Sequence, residues 1–244
     1  MLNFTIKNLF VRKSKLALIC IAILIASTVG LIAINVSNQV HDGIINTAGY
    51  YDTIVGPQGS STQLALSTMF FSDKPLGTLE YEYYNNLKND NRINVAIPMA
   101  MGDSYKSHKI IGTIKEFIED KKLEKGELFK EEFEAVIGKN VAKNNNLKVG
   151  DTFISSHGIS EQDQGHAHEN VPYTVVGILG KTGTAYDNNI FVEIGSIWHA
   201  HSHEDVGAGL VSAQIEEHNH SHNVTAILIR TKSMRRPNGY IRRI

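Results

Sequence analysis

The sequence predicts an α+β protein, with one N-terminal transmembrane helix followed by a mixed α+β extracytoplasmic domain. Three observations carry this reading. Residues 16–36, LALICIAILIASTVGLIAINV, hold no charge, and at about 1.5 Å of rise per helical residue the run spans roughly 30 Å, the hydrocarbon thickness of a bilayer. Beyond it, short β-prone apolar runs mix with short amphipathic ones, without the strict strand–helix alternation of a doubly wound sheet. The lone cysteine, Cys20, lies inside the apolar run, so the exported part has no disulfide and rests on an apolar core.

Residues 1–15 form a basic tail in which Leu2, Ile6, Leu9 and Phe10 fall at helical spacing. The tail is either an amphipathic helix on the cytoplasmic membrane surface or a frayed segment that only sets topology. Lys7, Arg12, Lys13 and Lys15 precede the apolar run, whereas Asp42, Asp52 and Asp73 come before the next base, Lys74. The positive-inside rule then keeps the N-terminus in the cytoplasm and places the chain beyond about residue 37 outside. A cleavable signal peptide is the rival reading, but the run exceeds the ~7–15 residues of a signal core and lacks a clear A-x-A site. Ser27, Thr28 and Asn35 are its few polar members. Such side chains bond back to their own helix or to a neighbouring one.

Residues 36–49 read as a helical stalk, and 51–57 as a short β-prone run closed by Gly56-Pro57. Residues 64–71, LALSTMFF, need a partner surface. Residues 78–90 place Leu79, Tyr83, Tyr84 and Leu87 on one helical face behind a candidate N-cap, Thr78. Strands are expected at 94–101 and 108–114, around a turn at Gly102-Asp103-Ser104, and a charged helix at 115–122. The spacing then predicts a strand at 134–138, a short helix at 139–145, and a turn at 147–151 into a strand at 152–154. Strands at 172–180, 190–192 and 224–231 follow, with a turn at 187–189. The domain so defined covers 37–232, and 233–244 is a basic end, unstructured or truncated.

A net charge of −1 with scattered bases excludes a nucleic-acid partner. No G-x-x-x-x-G-K-[ST], H-E-x-x-H or G-x-S-x-G motif is present. Asp103 and Asp187 read as turn formers rather than catalytic acids, so the expectation is that the chain is not an enzyme.

Several segments arrive in a familiar order. A basic tail and single helix lead into Tyr51-Asp52-x-Ile54-Val55-Gly56, then Ala135-Val136-Ile137-Gly138 and Leu147-x-Val149-Gly150-Asp151-Thr152. Tyr173-Thr174-Val175-Val176-Gly177-Ile178-Leu179 and Thr182-Gly183-Thr184-x-x-Asp187 complete the series. Over residues 1 to about 232 the chain resembles the N-terminal part of a MacB/FtsX-type ABC transporter permease. The resemblance implies a MacB-like core domain without catalytic residues, an ABC ATPase subunit as partner, contact with membrane lipid and a second permease copy. Family permeases resume with three more membrane helices, which implies that this chain is a fragment or a truncated product, or that the remainder is a separate chain.

Nine of the eleven histidines fall between His157 and His222. They cluster as His166-x-His168, His199-x-His201-x-His203 and His218-x-His220-x-His222. In a strand, a spacing of two places side chains on one face; on a helix the same positions diverge by about 200°. As strand or loop, these imidazoles could converge on Zn or another divalent transition ion, with carboxylates at Glu161, Asp163, Glu169, Glu204, Asp205, Glu216 and Glu217 nearby. The expectations are therefore a permease subunit linked to metal handling or, alternatively, a stand-alone membrane-anchored metal-binding protein. His41 and His108 are isolated and receive no role.

Overall fold

The computed structural model describes residues 13–48, 50–157, 172–202 and 222–232. The first helix, α1, runs from Lys13 to Ala48. Among the described residues it is the one helix long and apolar enough to cross a membrane, over Lys13–Gln39. Between residues 17 and 39 its apolar side chains, Leu18, Ile21, Leu24 and Leu31 among them, are exposed, the pattern of a helix long enough to face lipid. The polar side chains bond within the helix, as expected. Ser27 and Thr28 donate to the Leu24 carbonyl at 3.0 and 2.7 Å, and Asn35 donates to Leu31 at 2.9 Å. The stalk reading also holds, since the helix persists to Ala48. This segment forms one unit, through Asn46, and the rest of the chain forms another.

In the second unit the strands are β1 (Thr53–Val55), β2 (Leu79–Glu80), β3 (Ile93–Tyr105), β4 (His108–Thr113), β5 (Leu123–Gly126) and β6 (Glu134–Ile137). β7 (Thr152–Phe153), β8 (Ser156–His157), β9 (Tyr173–Leu179), β10 (Ile190–Glu193), β11 (Asn223–Val224) and β12 (Ala226–Thr231) follow. The helices are α2 (Ser61–Met69), α3 (Tyr81–Lys88), α4 (Lys139–Asn145) and α5 (Ile194–Ser202). Ten strands make one sheet in the order β1-β12-β3-β4-β10-β6-β9-β5, with β7 beside β9 and β8 beside β3. β11 pairs with β2 in a separate two-stranded ribbon. Pairing is antiparallel except at β10–β4 and β6–β9, which makes this a mixed α+β sheet.

The strand sequences are nearly continuous apolar runs because both faces of the sheet are covered. Successive residues point to opposite faces. One core therefore collects Ala100, Ile110, Ala135, Ile137, Ile190, Val192, Ile227 and Ile229, with Tyr84 of α3, Val141 of α4 and Ile197 of α5 over them. The other collects Ile97, Met99, Ile111, Val136, Phe191 and Leu228 under Met69, Phe71, Phe117, Phe129 and Tyr186. This second core is the partner surface that LALSTMFF needs.

Several expectations are corrected. The β3–β4 turn is at Lys106-Ser107, not Gly102-Asp103-Ser104. β3 passes through those residues with a register shift between Met101 and Ser104. Asp103 is thus no turn former but a fully buried strand residue paired across from His157. The charged helix at 115–122 shrinks to a single 3₁₀ turn, Lys115–Phe117, because Phe117 and Ile118 are drawn into the core. At 78–90 the first residues pair as β2, so the helix starts at Tyr81 behind Glu80 and Thr78 caps nothing. Asp187 does organise its turn: it accepts from the N–H and hydroxyl of Thr182, both at 2.8 Å, and from Gly183 N–H at 2.9 Å.

Candidate functional site

The predicted histidines are the place to begin. His166, His168, His203, His218 and His220 lie outside the described residues. Residues 199 and 201 both belong to α5, so the strand geometry expected for that cluster is corrected. The two positions lie about 200° apart around the helix axis. Packing decides this: Ile194 and Ile197 bury one side of the segment against the sheet, as a helix requires. His108, to which no role was given, is a buried core residue whose Nδ1 donates to the Asn188 carbonyl at 2.8 Å.

What the fold does bring together is the first histidine of one cluster and the last of another. His199 and His222 line one cavity of about 710 Å³, with Lys130, Glu131, Glu132, Glu193, Gly195 and Trp198. On α5, Gly195, Trp198 and His199 stand at i, i+3 and i+4 and therefore share a face. The Trp198 indole N–H donates to the Asn223 carbonyl at 2.8 Å, which ties the helix to β11. The His222 ring packs on the Trp198 ring at 4.4 Å between centroids, and its carbonyl accepts from Tyr81 N–H at 2.8 Å. α5 and β11 are thereby held together at the cavity.

The opposite wall is the loop ahead of β6. Glu134 carboxylate accepts from the N–H groups of Lys130 and Glu131 at 2.7 and 3.1 Å. Phe133 adopts φ 61°, the left-handed region that a bulky residue enters only at a cost of about 1–2 kcal/mol. It is held there by its N–H donating to Ser196 Oγ at 2.9 Å and by its ring against Tyr173. The turn aims Glu132 at α5, where its carboxylate pairs with His199 Nδ1.

Glu193, the last residue of β10, turns back onto the start of α5 and accepts from Gly195 N–H at 2.6 Å. Its pKa is raised above the ordinary 4.5. Burial is the larger cause and the like charge of Glu132 adds to it, against lowering by backbone N–H donors. Tyr81 is pushed up to about 12, mainly by burial, with Tyr84 and Glu193 adding. Gly195 leaves room between the acids. A Cβ built there would lie 2.6 Å from both Glu132 Oε1 and Glu193 Oε2. The cavity lining combines the acids Glu131, Glu132 and Glu193 with one base, Lys130. The available signal for Glu132 and Glu193 in the sequence was only that they are acidic, and nothing local marks them out.

The family profile described as the MacB-like periplasmic core domain matches residues 14–244. The chain belongs to that family. It is an extracytoplasmic core domain of the MacB/FtsX type, found in ABC transporter permeases, as its segment order implied. The MacB-like assignment agrees with the mixed α+β sheet and with one N-terminal helix able to anchor the domain to a membrane. Among solved structures the chain is similar to the extracellular domain of the noncanonic ABC-type transporter YknZ from Gram-positive bacteria. Identity there is 13% and the TM-score 0.44, covering 74% of this chain and 84% of that one. It is also similar to the periplasmic region of MacB from Actinobacillus actinomycetemcomitans, at 12% identity and a TM-score of 0.44, covering 75% of each chain. Among curated proteins, none matches the chain.

Proposed function

We propose that this chain is the core-domain portion of a permease subunit that works with a separate ABC ATPase. The ATPase hydrolyses ATP in the cytoplasm, and the extracytoplasmic domain moves in response. The observation that carries this is the family match across 14–244 on a chain led by an apolar span. The chain itself does no bond-making chemistry and acts as a mechanical part. It sits with its N-terminus in the cytoplasm and works beside a second permease copy.

The test is recovery of the full chain from its native membrane in mild detergent. An ABC ATPase at a fixed ratio to the chain is the expected result, with ATP hydrolysis lost when the chain is removed. A chain recovered alone, at a mass of one copy plus detergent, overturns the reading in favour of a stand-alone anchored protein.

A second reading concerns metal, and the meeting of His199 and His222 at one cavity favours it. The transporter carries, senses or is regulated by a divalent transition ion such as Zn²⁺, held through the histidines of the three clusters. Replacing His199, His201 and His203 together with Ala is expected to weaken Zn²⁺ binding at least tenfold, about 1.4 kcal/mol. Unchanged affinity in calorimetric titration would remove that cluster from the reading.

A further inference from the structure

We infer that residues 154–157 form a strap that opens locally while the rest of the sheet stays closed, exposing to water a polar cluster of Asp103, Ser155 and Tyr173. Register places the strap over that cluster. It starts from Phe153, which lies across from Tyr173 of β9, and ends at His157, which lies across from Asp103 of β3. Phe153 is the fixed end, because its ring stacks on Tyr173 at 5.5 Å between centroids and packs on Tyr105 at 4.8 Å. Beyond it the amphipathic pattern is inverted: Ile154 is 47% exposed, whereas Ser155 is 1% exposed. A strand held in place by its own side chains would present these two the other way round.

The buried side carries groups that gain from water. Tyr173 Oη and Ser155 Oγ are buried and have no hydrogen-bond partner among the described residues. A hydroxyl so placed forfeits the bonds it makes in water, a larger loss than the net gain of an ordinary internal bond. Asp103 is fully buried in the stretch of β3 where the register against β4 shifts, and such irregularities re-aim a side chain. Burial raises the pKa of the Tyr173 hydroxyl and the negative charge of Asp103 adds to it, so the two groups share one poorly solvated region. Among the described residues, the strap is held down by the two-residue pairing of β8 with β3 and by the Ser156 hydroxyl, which donates to the Ser104 carbonyl at 3.3 Å. Opening therefore hydrates three polar side chains and gives up two ladder positions, while Phe153 stays in the core as the hinge.

Hydrogen exchange of the full chain in detergent, read by mass spectrometry, tests the strap. Amides of 155–157 are expected to be protected roughly tenfold less than those of β9 and β10, at a level that low urea leaves unchanged, as local opening requires. Protection equal to that of β9 and β10, with the same urea dependence, overturns the inference, because the segment then opens only when the whole sheet does. Tyr173→Phe and Ser155→Ala each delete one buried hydroxyl with little change of shape. Each is expected to raise the protection of 155–157, by roughly tenfold, because the closed state no longer buries that group. A merely frayed strand end would be indifferent to Tyr173→Phe. Unchanged or lower protection in either variant therefore overturns the strap even where wild-type exchange is fast.

Discussion

Glu193 is the residue whose environment has the clearest thermodynamic consequence. Its folded pKa is raised, chiefly by burial, so the folded state binds the proton more tightly than the unfolded chain does. Stability contributed by this group is therefore greatest below the unfolded value of 4.5 and is lost as pH rises through the folded pKa. Glu193→Gln mimics the protonated form and keeps an acceptor for Gly195 N–H. Its melting temperature relative to wild type is expected to be more favourable near pH 7 than near pH 4.5, where the difference fades. Thermal melts across that range, without added metal, check this; a difference independent of pH would mean that Glu193 is not raised. His199 illustrates how far a residue can be read in isolation. Its type signalled a metal ligand, but its principal partner, Glu132, lies 67 residues away in sequence.

At the scale of elements, β10 is the hinge of the fold's energetics. It sits between β4 and β6, and Phe191 is fully buried among Phe71, Phe117 and Tyr186, whose ring centroids are 6.1, 5.9 and 5.4 Å from its own. Phe191→Ala leaves a cavity in the second core and is expected to cost about 3–5 kcal/mol in urea unfolding. A loss under about 1 kcal/mol would mean that the second core collapses around the gap. Gly138 follows β6 and opens α4, where an added Cβ would stand 2.3 Å from the Tyr186 carbonyl. Gly138→Ala is expected to destabilise by about 1–3 kcal/mol even though Ala favours helices, because the clash is with backbone that has nowhere to go. The opposite sign is anticipated for Gly195→Ala, where only side-chain ends must shift.

For the whole molecule the central prediction is topology. Ser107 is exposed at the β3–β4 turn, and Cys20, in α1, is the only native thiol. In a Cys20→Ala background, Ser107→Cys is expected to react with a membrane-impermeant maleimide on intact cells. Protection on intact cells with reaction after lysis would invert the orientation. The same assay bears on the proposed division of labour, since the domain can sense an extracytoplasmic ion only from that side.

The elements legible from the residues alone are those that local physics decides. An uncharged, mostly apolar run over 16–36 needs no partner to declare itself a helix long enough to cross a membrane. Helix α4 was legible at its exact bounds, because Gly138 precedes it and Asn146, in the left-handed conformation at φ 55°, ends it. The main strands were legible because residues buried on both faces are apolar without interruption. Long-range packing settled the rest. It extended β3 through Asp103, collapsed the charged segment after β4 to one turn, and made 194–202 a helix rather than an edge of histidines. It also built the cavity wall from Glu132, Glu193 and Gly195, which no spacing connects. These outcomes share one cause. Each depends on which distant surface a segment buries against, and that energy is absent from any window of neighbouring residues.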